Sequence, residues 1–216
     1  MPVDEYLVEK LTANLRGKVA AAYGRQLAGK QSNELEKLSR EFNYPPVSRI
    51  KSLEDLPELG IKTFFCSDVC AAYRRDIYEE LGGFVRHTIF NEDMIYASGA
   101  VRAGYQISYE AEAKVLHAHN YTNRQQLHRN FDLGVSQAEH PEVFGDVKSE
   151  SEGKKLLQAA WQHFKRKKQL YRFPGFLVQC CFKYAGYLLG KHYRLLPKKA
   201  VLALTDNREY WRQNKD

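Results

Sequence analysis

Residues 91–121 read NEDMIYASGAVRAGYQISYEAEAKVLHAHNY, a helix pattern followed directly by a strand pattern. Asn91 is a favoured N-cap residue and Gly104 a usual stop, so we expect a helix between them. Every second residue of 105–109 is apolar, as in a half-buried strand, and the extended chain continues to Leu116. A helix leading into a strand within about 30 residues is typical of α/β folds.

The flanking sequence extends this alternation in both directions. Leucines at helical spacing predict a helix over 4–16, and strand-forming residues dominate 63–73. Between them we expect a long connection, 42–62, interrupted by prolines and a glycine. Capping patterns predict a short helix at 76–79, ended by Gly82 and Gly83, and a longer one at 122–138. From residue 152 onward we expect helices only, at about 152–170 and 175–190.

Charge divides the chain into two parts. Residues 1–150 carry 18 basic and 22 acidic residues, whereas 151–216 carry 15 basic and 4 acidic residues. We therefore predict an α/β domain at 1–150 and a basic, amphipathic helical extension at 151–216. A strongly basic segment implies an anionic partner, either a membrane surface or nucleic acid.

The four cysteines, Cys66, Cys70, Cys180 and Cys181, are too few for a secreted disulfide scaffold of this length. They lack the pairing expected of a zinc ribbon and indicate ordinary buried thiols in a reducing cytoplasm. The N-terminus has no signal-peptide pattern. We therefore expect a cytoplasmic protein, with the inner membrane surface as a peripheral location.

Glu92 and Asp93 fall in the first turn of the helix predicted after Asn91. Free backbone N–H groups at a helix start stabilise negative charge, so these carboxylates could accept a proton from a substrate hydroxyl. Taken alone, the pair is equally explained as good chemistry for beginning a helix.

His117 and His119 lie two residues apart where the predicted strand ends. Their imidazoles could converge on one divalent metal ion, although two ligands do not complete a metal site. The alternative is a polar loop in which one histidine is held by hydrogen bonds.

Taken together, these segments resemble a known family. Gly82-Gly83-Phe84, then Asn91-Glu92-Asp93, then His117-Ala118-His119-Asn120-Tyr121, resemble the second half of family 2 glycosyltransferases, especially the bacterial rhamnosyltransferase-like group. The resemblance covers about residues 1–150. It implies a partial GT-A (Rossmann-like) α/β domain, with a mostly parallel sheet, that transfers a sugar from a nucleotide-diphosphate donor to a polysaccharide or lipid-linked acceptor.

The resemblance also implies roles for individual residues. Asp93 matches the general base of an inverting displacement, and Glu92 would support it or contact the acceptor. One of His117 and His119 would lie near the metal and the donor diphosphate. A further set would contact substrate: Gly82, Gly83, Phe84, Gln126 and Arg129. The last two resemble a Gln-x-x-Arg-Trp segment of processive relatives, but Asn130 replaces the tryptophan.

Family members hold Mg²⁺ or Mn²⁺ through an Asp-x-Asp motif in an N-terminal nucleotide-binding part. No Asp-x-Asp occurs in these 216 residues, and 1–7 resemble the segment just after that motif. We therefore expect a C-terminal part of such an enzyme. The alternative is a non-catalytic remnant or a subunit needing a separate donor-binding half.

The basic extension interleaves lysines and arginines with aromatic residues. This composition favours a helix lying on an anionic membrane surface over binding to nucleic acid, for which no recognition motif is present. Its apolar stretch around 176–190 is too short and too interrupted for a spanning helix. The open alternative is a set of helices packed on the domain with a solvated basic face.

Overall fold

The computed structural model describes residues 1–145 and 150–213. It is a mixed α/β structure whose chain divides into two compact units. The first unit contains Met1–Val85, Glu92–Asn120 and 150–156; the second contains Arg86–Asn91, 121–145 and 157–213. The domain boundary predicted at residue 150 stays a prediction.

The first unit is built on a four-stranded mixed sheet of order β2-β4-β1-β3. The strands are β1 (Val19–Leu27), β2 (Arg49–Lys51), β3 (Ala71–Tyr73) and β4 (Gln106–Leu116). The central pair β1 and β4 is parallel, while both edge strands run antiparallel to their neighbours. The described sheet is therefore mixed, which agrees with the predicted α/β class.

Strand β1 is the buried centre of this sheet. Val19, Tyr23 and the alanines 20–22 between them are almost completely buried, as expected for a strand covered on both faces. At Gly24 an added Cβ would lie 2.5 Å from the Ala113 carbonyl oxygen of β4, so only glycine allows this close approach.

Among the described residues, the first unit holds the start of α8 (Glu150–Arg166) and the whole of α1 (Leu7–Thr12), α2 (Glu34–Asn43), α3 (Leu56–Leu59), α4 (Arg75–Glu80) and α5 (Glu92–Arg102). Helix α2 follows β1, and its N-cap Asn33 accepts a 2.8 Å hydrogen bond from the Glu36 backbone N–H. Helix α5 leads into β4, which confirms the helix-to-strand unit predicted from residues 91–116.

A buried lysine on β2 holds the segment that follows α3. The Lys51 ammonium donates to the carbonyls of Lys62 (2.9 Å) and Phe65 (2.5 Å) and to the Tyr23 hydroxyl (3.2 Å). These bonds secure residues 60–65 in a tight turn.

The second unit is helical. Its elements are α6 (Asn123–Glu139), α7 (Pro141–Phe144), the later part of α8 (Glu150–Arg166), α9 (Phe173–Lys191), α10 (Lys198–Leu204) and α11 (Arg208–Gln213). Thr122 and Gln125 form the predicted capping box of α6. The helices expected at 152–170 and 175–190 are confirmed as α8 and α9.

Helices α6 and α9 pack backbone against backbone. A Cβ added at Gly134 of α6 would lie 2.3 Å from the Tyr187 carbonyl oxygen. On α9, a Cβ at Gly186 or Gly190 would lie 2.2 Å from the Leu127 oxygen or 2.0 Å from the Phe131 oxygen. These three positions, which we name the glycine seam, leave no space for any side chain.

Several local expectations differ from the structure. The strand expected at 63–73 is confined to Ala71–Tyr73, since 60–64 and 68–70 form 3₁₀ turns. The first helix covers only Leu7–Thr12. Asn91 does not cap α5: its φ is +65° and its amide donates to the Ser136 hydroxyl at 3.1 Å. Neither β1 nor α2 was expected.

Candidate active site

Asp93 lies near the carboxyl edge of the parallel strands β1 and β4. It occupies the first turn of α5 and accepts a 3.3 Å hydrogen bond from the backbone N–H of Asp68. Asp68 comes just before β3, which runs antiparallel to β1, so it lies toward the end of β1. Ligands of open α/β sheets bind at such edges.

The Asp93 carboxyl is held in place by main-chain donors. Its Oδ1 accepts the Met94 N–H at 2.7 Å, and its Oδ2 accepts the Asp68 N–H. Burial raises the pKa of Asp93 to about 7, the charges of Asp68 and Glu92 add to the rise, and the Met94 N–H opposes it. A carboxylate with a pKa near neutrality suits a general base.

Glu92, the other half of the predicted pair, is exposed at the start of α5. Asp93, by contrast, is half-buried and hydrogen-bonded. The structure thus separates two carboxylates that the sequence presents as equivalent.

The histidine pair begins where β4 ends. The backbone N–H of His117 donates to the Leu27 carbonyl at 2.9 Å, which joins the ends of β4 and β1. The Nε2 atoms of His117 and His119 are 2.8 Å apart. Burial lowers the pKa of His117 to about 4, and the charges of His119 and Arg40 lower it further. The His117 ring is therefore neutral at pH 7.

A series of hydrogen bonds, which we name the polar chain, connects this pair to the segment that carries Asp68. The backbone N–H of His119 donates to the Glu36 carboxylate at 3.4 Å, and the same carboxylate accepts a hydrogen bond from the Arg40 Nε at 2.9 Å. Arg40 also donates to the side-chain oxygen of Gln26. Gln26 in turn donates to the Ser67 hydroxyl at 2.7 Å. The structure thus connects the two predicted catalytic elements through residues of β1 and α2.

A cleft of about 460 Å³ opens beside the polar chain. Gln26, Arg40 and Tyr44 belong to its wall, and burial raises the pKa of the Tyr44 phenol to about 12, with Asp93 contributing. The charged residues of the lining are Arg25, Lys30, Lys37, Arg40 and Glu41. An excess of cations at this position favours an anionic ligand.

Gly82 and Gly83 end α4 with φ values of +80° and +71°, a conformation that favours glycine. The Phe84 N–H donates to the Tyr78 hydroxyl at 3.0 Å, and the Phe84 ring packs edge-on against Tyr73 at 5.3 Å. The turn therefore has a structural explanation, and its predicted contact with substrate stays a prediction.

Gln126 and Arg129 belong to the second unit, on α6. Arg129 is exposed, and its guanidinium lies 4.7 Å from the Phe90 ring centroid and 5.6 Å from that of Tyr121. These are cation–π contacts. The substrate-binding role predicted for both residues stays a prediction.

The histidine pair and its described neighbours do not form a complete ligand set for the predicted metal ion. Mg²⁺ and Mn²⁺ prefer oxygen ligands, and the carboxylate beside the histidine pair, Glu36, is already bonded to Arg40. Within residues 1–145 and 150–213, no group of three His, Cys, Asp or Glu side chains is arranged to hold a metal. The described residues do not by themselves fit Mg²⁺ or Mn²⁺.

Sequence reasoning did not find Gln26, Glu36, Arg40 or Tyr44. All four come from β1 and from α2 with its C-cap, where no recognisable motif occurs. The available signal was the pattern of a buried apolar run followed by a polar loop and a capped helix, which predicts a strand and its carboxyl-end loop.

No family model matches the chain, and no solved structure gives a significant match. The chain is 42% identical over 194 residues to the O-antigen chain rhamnosyltransferase RfbN of Salmonella typhimurium strain LT2, covering 89% of this chain and 62% of that protein. It is 43% identical over 194 residues to the O-antigen chain rhamnosyltransferase WbaN of Salmonella anatum, covering 89% of this chain and 61% of that protein. The chain thus spans less than two thirds of these curated relatives while resembling them over most of its own length.

Proposed function

We propose that this chain carries the acceptor-side catalytic part of a glycosyltransferase, with Asp93 as its general base. The transferred sugar, rhamnose by analogy with the relatives, comes from a nucleotide-diphosphate donor. The acceptor is a glycan, either a polysaccharide or a lipid-linked chain. The reaction is an inverting displacement at the anomeric carbon.

The environment of Asp93 is the observation that carries this proposal. Its carboxyl is half-buried, fixed by two main-chain donors, and has a pKa raised to about 7. Each oxygen accepts one N–H and keeps a lone pair for a substrate hydroxyl. A carboxylate that merely begins a helix would be exposed, as Glu92 is.

The proposed reaction involves the acceptor, the donor and the Asp93 carboxylate. The acceptor hydroxyl oxygen forms a bond to the anomeric carbon while its proton passes to the Asp93 carboxylate. The bond between that carbon and the diphosphate oxygen breaks, and the electron pair leaves with the diphosphate. Inversion follows because the nucleophile approaches opposite the leaving group.

The cationic cleft suits the anionic end of a substrate. Arg25 is half-buried and donates its Nε to the Tyr44 carbonyl at 3.2 Å, which directs a fixed positive charge to this wall. Lys30 is exposed at the same cleft. We assign these two cations to a phosphate-bearing substrate, with the neutral His117 ring as a hydrogen-bond partner.

The relatives support the substrate class. Both are named O-antigen chain rhamnosyltransferases, which implies a rhamnose donor and a glycan acceptor for them. Since this chain spans 62% and 61% of their lengths, its activity and substrates are inferred by analogy. No divalent cation is assigned to the described residues; if one accompanied the donor, His117 or His119 would be the residues nearest to it.

Transfer of radiolabelled rhamnose from a nucleotide-diphosphate donor to an O-antigen-type glycan tests the proposal. We expect Asp93→Asn to lower kcat by about 10²- to 10⁴-fold, the contribution of a general base, with little change in donor affinity. Glu92→Gln is the matched control and should retain most of the activity. Near-normal turnover by the Asp93 variant would show that another group accepts the proton.

A further inference from the structure

Helix α9 turns an apolar face to solvent. We name this face, formed by Leu177, Val178, Cys181, Phe182 and Ala185, the α9 apolar face, and all five side chains are exposed. Leu177 is 38% exposed, Val178 48% and Phe182 36%. These residues follow helical spacing, so they form one continuous stripe.

The opposite side of α9 explains this orientation. Gly186 and Gly190 of the glycine seam and the buried Phe176 contact the rest of the second unit. The packed side thus consists largely of glycines and Phe176, whereas Leu177, Val178 and Phe182 lie on the outer side. A surface helix of a globular protein normally has the reverse arrangement.

Cations border the α9 apolar face along the chain. Residues 153–205 contain twelve Lys and Arg residues and no Asp or Glu. Before α9, Lys165, Arg166, Lys167, Lys168 and Arg172 are all exposed, and Lys191 is exposed at its end. A uniformly positive, exposed surface would repel a second copy of itself.

Exposed aromatic residues accompany these cations. Trp161 is 48% exposed and packs against Phe173 at 5.0 Å, and Tyr171 is 74% exposed. Trp and Tyr are enriched where a protein meets the polar boundary of a bilayer, because their rings are apolar with one polar group.

We propose that α9 lies in the plane of an anionic lipid bilayer, with the α9 apolar face at the boundary between headgroups and acyl chains. The flanking lysines and arginines then contact lipid phosphates. Within residues 1–145 and 150–213, no helix is long and apolar enough to cross a membrane. This inference stands independently of glycosyl transfer.

Flotation of the full chain with vesicles tests the proposal. We expect binding to vesicles of phosphatidylethanolamine and phosphatidylglycerol at a 3:1 ratio, and little binding to pure phosphatidylcholine. Val178→Glu and Phe182→Glu should each weaken binding at least tenfold. Val8→Glu is the matched control, since Val8 is 70% exposed on helix α1 of the first unit, and should bind as the wild type does.

A second set of variants tests the charge contribution. Replacing Lys165, Lys167 and Lys168 together by Gln should weaken binding severalfold and reduce its salt dependence. Lys18→Gln, at an exposed lysine in the first unit, should change neither. Circular dichroism melting of every variant checks that folding is retained.

Three outcomes would overturn the proposal: no binding to anionic vesicles, equal binding to neutral ones, or an equal loss in the Val8 variant. Light scattering, which measures the oligomeric state, tests whether a second copy of the chain covers the α9 apolar face instead. A dimer that Phe182→Glu dissociates, without vesicle binding, would assign the α9 apolar face to a second copy of the chain.

Discussion

The backbone N–H of Asp68 donates to Oδ2 of Asp93 at 3.3 Å, so the carboxyl at the start of α5 is tied to the segment entering β3. The Asp68 side chain in turn accepts from the Tyr73 hydroxyl. Two carboxylates therefore lie close together at one edge of the sheet. Their repulsion disfavours ionisation of the more buried one.

Asp68→Asn should lower the pKa of Asp93 from about 7. The charge of Asp68 raises that pKa, whereas the backbone N–H donated to Asp93 is retained in the variant. Titration of the Asp93 carboxyl carbon by NMR measures this directly. An unchanged titration would mean that the charge of Asp68 does not contribute to the raised pKa of Asp93.

Asp93→Asn should change how stability depends on pH. The folded-state pKa of Asp93 is raised from 3.8 to about 7, so the folded protein binds the extra proton between these values. Its contribution to stability is present below pH 4 and is lost as pH rises through 7. The unfolding free energy of the wild type relative to the variant should therefore fall between pH 4 and 8. A constant difference in urea titrations would contradict the raised pKa.

Arg40→Met should destabilise the protein by about 2–4 kcal/mol, because it leaves the Glu36 carboxylate mostly buried without its cation. It should also raise the pKa of His117, which Arg40 lowers. The matched control is Arg75→Met, whose pair with Glu79 is exposed and should contribute less than about 0.5 kcal/mol. Urea unfolding and histidine NMR titration provide the two measurements.

Gly83→Ala should destabilise the protein by about 1–3 kcal/mol. Its φ of +71° is strained for alanine, and the new Cβ would lie 2.7 Å from the Tyr78 ring. Gly99→Ala is the opposite control: it is an exposed position within α5 with nothing within 4 Å. The free energy of unfolding of that variant should rise by about 0.5–1 kcal/mol, because alanine has a higher helix propensity than glycine. Thermal melting should show a lower melting temperature for Gly83→Ala and a higher one for Gly99→Ala.

Gly190→Ala should destabilise the second unit by about 3 kcal/mol or more, since its Cβ would lie 2.0 Å from the Phe131 carbonyl oxygen. Gly175→Ala, in the first turn of the same helix, has nothing within 4 Å and serves as control. Proteolysis and melting should distinguish them. Equal stability would show that α6 and α9 can separate slightly without cost.

The helix-to-strand unit from α5 to β4 and the start of α6 could be predicted because periodic apolar residues and capping residues agree there. Strand β1 was not predicted, because the alanines at 20–22 show no alternation and its apolar run was the only available signal. The strand-forming residues at 63–65 led to a wrong strand prediction, because tertiary contacts override their local preference. The Lys51 ammonium donates to the carbonyls of Lys62 and Phe65 and holds this segment in a turn.

The candidate site divides in the same way. Asp93 and the histidine pair were accessible as motifs, because each lies at a recognisable end of an element. Gln26 and Arg40 were not, since their connection to His119 runs through Glu36 and depends on the parallel pairing of β1 with β4, across about 90 residues of sequence. Long-range pairing leaves no local periodic pattern.

The glycine seam has a consequence for reading natural variation in this protein. Hydropathy scales rank glycine as nearly neutral, so a substitution at Gly134, Gly186 or Gly190 would score as harmless. Their nearest neighbours are main-chain atoms, which cannot rotate out of the way as side chains do. Changes at these three positions should therefore be among the most damaging missense mutations in the helical unit.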